Sequence, residues 1–258
     1  MIRLTPTFKE KVWGSTHLEP LFPNSQTKIG EVWFEGVDNL PLLIKFLFTT
    51  EKLSVQVHPN DDYARKHHDS LGKTEMWHVL AAEPGAQIAA GFREPITAQR
   101  MREAALSGEI ENLLQGFDAA PGDTFFIPAG TVHAIGAGLT LCEIQQHSDV
   151  TYRLYDYGRP RDLHLDQAVA VSHFGLHSAR QQPHGNLLVS SPYFTTSKLC
   201  ISSPRSNIPL RTKDLLVFID GSGTVDGHPT RAGDVWFHDG GFREAELSGN
   251  ATALHVRP

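Results

Sequence analysis

Short apolar runs, each closed by Gly, Pro, Asn or Asp, recur along this chain, and that pattern restricts it to a mainly β fold of the sandwich or barrel kind. The clearest are LPLLIKFLF (40–48), LSVQVH (53–58), EMWHVLAA (75–82), AQIAAGF (86–92), DTFFIP (123–128) and LTLCEIQQ (139–146). Helical periodicity is scarce. Residues 60–70 read as one short helix capped by Asn60 or Asp61, with Gly72 beyond its end. Residues 97–116 read as a helical pair opened by Thr97 and broken near Ser107-Gly108, and a third helix is expected from His164 to His173.

With 258 residues, 40% hydrophobic and 20% charged, the chain is long enough for a large globular core. The polar stretch SHFGLHSARQQPHGN (172–186) has the composition of a linker, so the expected division is a domain over 1–178 and a second set of strands over 186–258. The two halves echo each other: APGDTFFIPAG (120–130) and RAGDVWFHDGG (231–241) both place a Gly-Asp turn before an aromatic strand and a closing Gly. A net charge of −6 argues against a nucleic-acid partner but not against an anionic small molecule in a locally positive pocket. The start MIRLTPTFKEKVWG carries no apolar leader and no run of 18 apolar residues occurs, so neither a membrane span nor secretion is expected and the cytoplasm is the expected compartment. Cys142 and Cys200 lie far apart without metal spacing, as expected of reduced structural thiols.

The most specific pattern is Gly122-(x5)-Pro128-x-Gly130-(x2)-His133, which has the spacing of the second cupin motif with Ala137 in place of its final Asn. The glycines and proline shape turns that deliver His133 from the next strand toward a barrel interior. In LSVQVH, residues two apart share a strand face, so Gln56 and His58 point one way while Leu53, Val55 and Val57 point the other. A buried Gln and His on one face need a partner, and a metal would supply one. Glu75 opens the strand after Gly72-Lys73, so Gln56, His58, Glu75 and His133 form a plausible site for zinc or another divalent ion. His78, three residues past Glu75, falls on the other face and reads as structural. By the same spacing the C-terminal copy carries Asp239 for the Pro, Gly241 for the Gly and Glu244 for the His, so it lacks the site.

LIKFL, VQVHPND, GKTEMW, PAGTVHAI and SDVTYR, together with VWG (12–14) and GEVW (30–33), resemble the type I phosphomannose isomerases, in particular the short bacterial form without the extra helical domain. The resemblance is strong over residues 1–175 and weak beyond; WGS stands where WGG is commoner, and the 146–161 segment is the short-form version. It implies a fold of two cupin (jelly-roll) barrels with a few short helices, the second degenerate. It also implies Gln56, His58, Glu75 and His133 as metal ligands, zinc as the cofactor, and Arg153 as the catalytic arginine. Lys45 and Lys73 are then near the substrate, and Glu143 follows the last ligand strand.

Such an enzyme moves a proton between C1 and C2 of a small sugar phosphate through an enediol, which requires a base, an acid and stabilisation of negative oxygen. Arg153, a permanent cation, suits the last task. For the base, a water on the metal, Glu143 and Lys73 stay open. Lys45, Lys73, Arg159 and Arg161 are candidates for the phosphate. Two other readings fit a cupin: a non-haem Fe(II) oxygenase using two His and one Glu, and a non-catalytic sugar-phosphate-binding protein. A monomer or homodimer is expected.

Overall fold

The computed structural model describes residues 1–202 and 205–258. In chain order the first half contains β1 (Ile2–Arg3), β2 (Thr5–Ser15), β3 (Ile29–Glu35), β4 (Leu42–Thr49), β5 (Val55–Val57), α1 (Asp61–His68), β6 (Glu75–Ala82), β7 (Gln87–Phe92), α2 (Ala98–Ser107), α3 (Ile110–Leu113), β8 (Leu114–Asp118), β9 (Thr124–Ile127), β10 (His133–Ile135), β11 (Leu139–Gln146), β12 (Tyr152–Tyr155) and α4 (Leu165–Val171). The second half contains β13 (Leu187–Ser190), β14 (Thr195–Ser202), β15 (Ser206–Leu210), β16 (Leu215–Val225), β17 (His228–Arg231), β18 (Val235–Phe237) and β19 (Arg243–Arg257). Among the described residues no helix is long and apolar enough to cross a membrane.

Two antiparallel sheets build the first half: β12-β5-β10-β7-β8 and β2-β3-β4-β11-β6-β9. Strand parity decides what each face meets. On the five-stranded sheet Val55, Val57, Val132, Ala134, Tyr152 and Leu154 point outward and pack on Met101, Ala104, Ala105 and Ala168 of the helices. The alternate positions, Gln56, His133 and Arg153, belong to the opposite face. On the six-stranded sheet, β4 is buried at every position because both its faces are covered. Ile44, Phe46 and Phe48 pack outward with Leu215, Val217, Leu254 and Val256 of the second half. Between the two sheets Leu47, Leu53, Trp77, Val79, Ile88 and Phe125 fill the barrel interior.

The seven strands of the second half form one sheet, eight-stranded with β1, in which the long β19 pairs with β14, β15 and β16, and it curls around its own apolar cluster of Leu216, Phe218, Trp236 and Leu247. The N-terminal β1 joins that sheet by pairing with β18, so the chain crosses between the halves at its start as well as after α4. The echoed turns are built alike. Asp123 Oδ2 accepts from the Ala120 amide at 2.9 Å and Asp234 Oδ2 from the Arg231 amide at 2.9 Å, with the preceding Gly122 and Gly233 at φ 93° and 91°.

α1 starts at its Asn60 cap and α2 at its Thr97 cap, with Gly108 ending α2 in the left-handed region. The expected second helix over 109–116 is only the short α3, and Leu114–Asp118 instead forms β8 against β7. Pairing with a neighbouring strand overrides the local helical pattern there. The linker-like segment is not free either: the Ala179 carbonyl accepts from the Phe126 amide at 2.8 Å, and the Gln181 amide donates to the Thr124 carbonyl at 2.8 Å, so the segment runs along β9.

Candidate metal centre

The site grows out of two rows of cross-strand neighbours. Across the five-stranded sheet Arg153, Gln56 and His133 are directly paired in adjacent strands. Across the six-stranded sheet Lys45, Glu143 and Trp77 form the corresponding row, with Glu75 two residues before Trp77 on the same face. The two rows meet inside the barrel. Trp77 packs edge-on against the His133 ring at 5.3 Å between centroids.

His58, Glu75 and His133 are fully buried, and one ligand atom from each lies within 4.8 Å of the others. His58 Nδ1 donates to the Val150 carbonyl at 3.0 Å and His133 Nδ1 donates to the Thr131 carbonyl at 2.9 Å. A carbonyl only accepts, so both rings present a bare Nε2 lone pair, each 3.5 Å from a Glu75 oxygen. Donors about 2.0–2.1 Å from a tetrahedral zinc stand about 3.3 Å apart, so these separations suit a shared ion. Gln56 Nε2 lies 3.3 Å from His133 Nε2 and its Oε1 accepts from Ser54; turning the amide over would bring an oxygen ligand to the same place.

Charge and burial agree with a cation site. Both Glu75 oxygens are buried without a hydrogen-bond partner; Lys73 Nζ stands 2.9 Å from Oε2 but off the hydrogen-bonding angle. Burial opposes ionisation of Glu75, yet Lys73, His58 and His133 outweigh it and hold the carboxyl well below its usual range. Burial, with Lys73 beside it, pushes His58 down to about 3, and burial likewise lowers His133, so both imidazoles are neutral ligands at neutral pH. Two neutral imidazoles, a carboxylate and an amide fit zinc.

Beside these ligands opens a cavity of about 290 Å³ lined by Gln56 and by five cations, Lys11, Lys45, Lys73, Arg153 and Arg161, against two carboxylates, Glu31 and Asp149. Lys73 Nζ also reaches His58 Nε2 at 3.1 Å. Burial opposes the Lys73 charge, but Glu75 and Glu143 outweigh it and raise the ammonium above the ordinary lysine range. Arg153 Nη1 donates to the Asp162 carbonyl at 2.8 Å, and its buried Nε has no partner. A second cavity of about 280 Å³, between the two halves, mixes His78 and Lys198 with Glu19 and Asp220. It is similar in size, but it lies on the outer face of β6, away from the ligands, and has no net cationic lining.

The sequence-expected residues separate into two groups. Lys45, Lys73, Arg153 and Arg161 line the cavity together with Gln56, while His58, Glu75 and His133 form the buried cluster beside it. Glu143 does not line it: Oε1 is 3.2 Å from Lys45 Nζ and Oε2 accepts from Trp77 Nε1 at 2.9 Å. Arg159 does not line it either: Asp156 binds both Arg161, through two bonds of 2.6 Å, and Arg159 at 3.2 Å, but Arg159 is turned away by Glu51 at 3.2 Å and the Lys52 carbonyl at 2.9 Å. His78 points to the outer face and bonds Thr124 Oγ1 at 2.9 Å. Lys11, Trp13 and Glu31 also line the cavity without having been singled out. VWG and GEVW carried the signal, and Lys11 and Trp13 share a face of β2 two residues apart, but no residue-level reason picked them from other edge-strand charges.

Residues 21–78 match the family model described as phosphomannose isomerase type I, catalytic domain. The chain is 32% identical to mannose-6-phosphate isomerase ManA of Bacillus subtilis over 96% of each chain. Its fold superposes on a crystal structure of mannose 6-phosphate isomerase from Bacillus subtilis with a TM-score of 0.85, at 27% identity and over 99% of each chain. A zinc-bound mannose 6-phosphate isomerase shares the fold with a TM-score of 0.78, at 17% identity and over 98% of each chain.

Proposed function

The chain belongs to the type I phosphomannose isomerase family, and on that premise we propose that it interconverts mannose 6-phosphate and fructose 6-phosphate with one zinc ion per chain. The observation that carries this reading is the pairing of a buried His58–Glu75–His133 cluster with an adjoining cavity whose cations outnumber its carboxylates five to two. The cluster alone suits several metal chemistries, but the cationic lining suits a phosphorylated substrate.

Gln56, His58, Glu75 and His133 hold the ion, which when bound would polarise the substrate carbonyl. Arg153 supplies a guanidinium on the same sheet row as Gln56, so it stabilises negative charge that appears on oxygen as the proton leaves carbon. Of the two protein groups considered for proton transfer, Lys73 lines the cavity and Glu143 does not. Lys73 therefore holds and moves a proton at the substrate oxygen, while Glu143 acts through Lys45 by fixing its ammonium at 3.2 Å. Lys45, Lys11 and Arg161 favour the phosphate dianion, and Arg159 is reassigned to holding Asp156 and Glu51.

The reading divides the chain into a catalytic cupin unit over 1–178 and a C-terminal barrel over 186–258 that covers the outer face of the six-stranded sheet. It places the enzyme in the cytoplasm as a monomer or homodimer. The test is incubation of zinc-loaded protein with mannose 6-phosphate in D2O, followed by NMR. Fructose 6-phosphate carrying some solvent deuterium at C1 is expected. Absence of ketose would defeat the isomerase reading, and oxygen uptake with Fe(II) would favour an oxygenase.

A further inference from the structure

Lys73 and Glu75 must meet His58 closely, yet α1 and a turn separate them along the chain. The neck of this excursion is tied together by one buried side chain. Gln146, the last residue of β11, donates from Nε2 to Asp61 Oδ1 at 2.9 Å and accepts at Oε1 from the Thr74 amide at 2.9 Å. Its own amide donates to the Thr74 carbonyl at 3.0 Å. The same Asp61 oxygen accepts from the Gly72 amide at 2.8 Å, and the Lys73 amide donates to the Pro59 carbonyl at 3.0 Å. Gly72 is required for this approach, since a Cβ there would lie 2.6 Å from the Asn60 carbonyl carbon. From the other side Thr74 Oγ1 accepts from the Ala129 amide at 3.2 Å, and the Gly130 amide donates to the His58 carbonyl at 2.8 Å, which ties in the turn that delivers His133.

We propose that Gln146, acting through Asp61 and Thr74, is a positioning residue that fixes Lys73 and Glu75 against His58. It touches neither the ligands nor the cavity, so it acts only through the main chain on both sides of Lys73. Both ends of its amide are engaged in a buried setting, where a satisfied polar network is stiff and a half-satisfied one is costly. Removing it leaves the Thr74 amide without its partner next to the two residues whose placement matters most. Loss of groups that support metal ligands typically costs about 10- to 100-fold in metal affinity or activity.

The inference rests on the isomerase reading only for its kinetic arm; zinc affinity tests it independently. Gln146→Met keeps the length and removes both side-chain bonds. It should weaken zinc binding about 10- to 100-fold, measured by chelator competition, the range for loss of such support. It should also lower kcat about tenfold with KM little changed, because Gln146 meets no substrate. Asp61→Ala, at the half-buried first position of α1, breaks the same tie if Gln146→Met folds poorly, and Asp61→Asn, which keeps the accepting oxygen, should retain more zinc affinity and kcat than Asp61→Ala. Variants with lower melting temperature but wild-type zinc affinity and kcat would overturn the proposal and leave a purely structural tie. A wild type that binds zinc without turnover would defeat the isomerase reading while the affinity comparison still decided the role of Gln146. A wild type that bound no zinc would overturn both.

Discussion

Arg153→Ala separates chemistry from architecture because the two costs can be worked out independently. On the structural side the substitution removes one hydrogen bond, from Nη1 to the Asp162 carbonyl at 2.8 Å, and a buried Nε that has no partner to lose. One such bond contributes about 1 kcal/mol, which in a chain of this size shifts the melting temperature by about 2–4 °C. On the chemical side, losing a donor that acts mainly on transition-state charge should cost about 100- to 1000-fold in kcat, or about 3–4 kcal/mol. The asymmetry is the signature: a large kinetic loss with a small thermal one and zinc retained. Arg153→Lys should recover only part, because an ammonium lacks the planar fork. Asp149, the neighbour four residues back, makes no ion pair with Arg153, so Asp149→Asn should not copy the thermal effect. The assay is kcat, KM, zinc content and melting temperature on one preparation. Unchanged kcat in a zinc-loaded variant would refute the catalytic role of Arg153.

The Lys45–Glu143 pair is buried on both sides, so Lys45→Met should cost about 3–5 kcal/mol in urea unfolding, and Lys45→Met with Glu143→Leu should regain much of that stability without turnover. Burial, with Lys198 nearby, depresses His78 to about 4 from an ordinary 6.5. The unfolded chain therefore takes up that proton first as pH falls; the contribution is complete above pH 6.5 and is lost toward pH 4, by about 3 kcal/mol in total. His78→Gln should flatten the stability curve relative to wild type across that window and leave it unchanged above it. Glu244, which among the described residues accepts from Asn207 at 3.4 Å, lies far from the ligands in the C-terminal sheet, so Glu244→Gln should leave turnover unaltered.

The parity of LSVQVH and the turn spacing before His133 made it legible that Gln56, His58 and His133 come together, because a strand period of two assigns faces without knowledge of the partner strand. Glu75 followed from its place at the start of a strand, and His78 from being an odd number of residues away. The fate of Glu143 was not legible. Only the register of β11 against β4 and β6 sets it between Lys45 and Trp77 and closes it off from the cavity. Arg159 and Arg161 are indistinguishable as sequence neighbours; Asp156 and the turn at Tyr157-Gly158 turn one toward Glu51 and the other to the cavity. The continuous apolar run over β4 told of burial on both faces, but not that the second cover comes from the C-terminal sheet. Gln146 carried no signal at all, since its role depends on three segments meeting in space.

The central claim is that one zinc ion, held by Gln56, His58, Glu75 and His133, serves an aldose–ketose isomerase. The direct measurement is turnover of mannose 6-phosphate by metal-stripped protein during titration with zinc, with elemental analysis at each point. Activity should be absent at the start, rise linearly and level off at one zinc per chain, while His133→Ala and Glu75→Ala should neither retain the ion nor turn over. Full turnover in protein shown to be free of metal, or none in protein carrying one zinc per chain, would contradict the account.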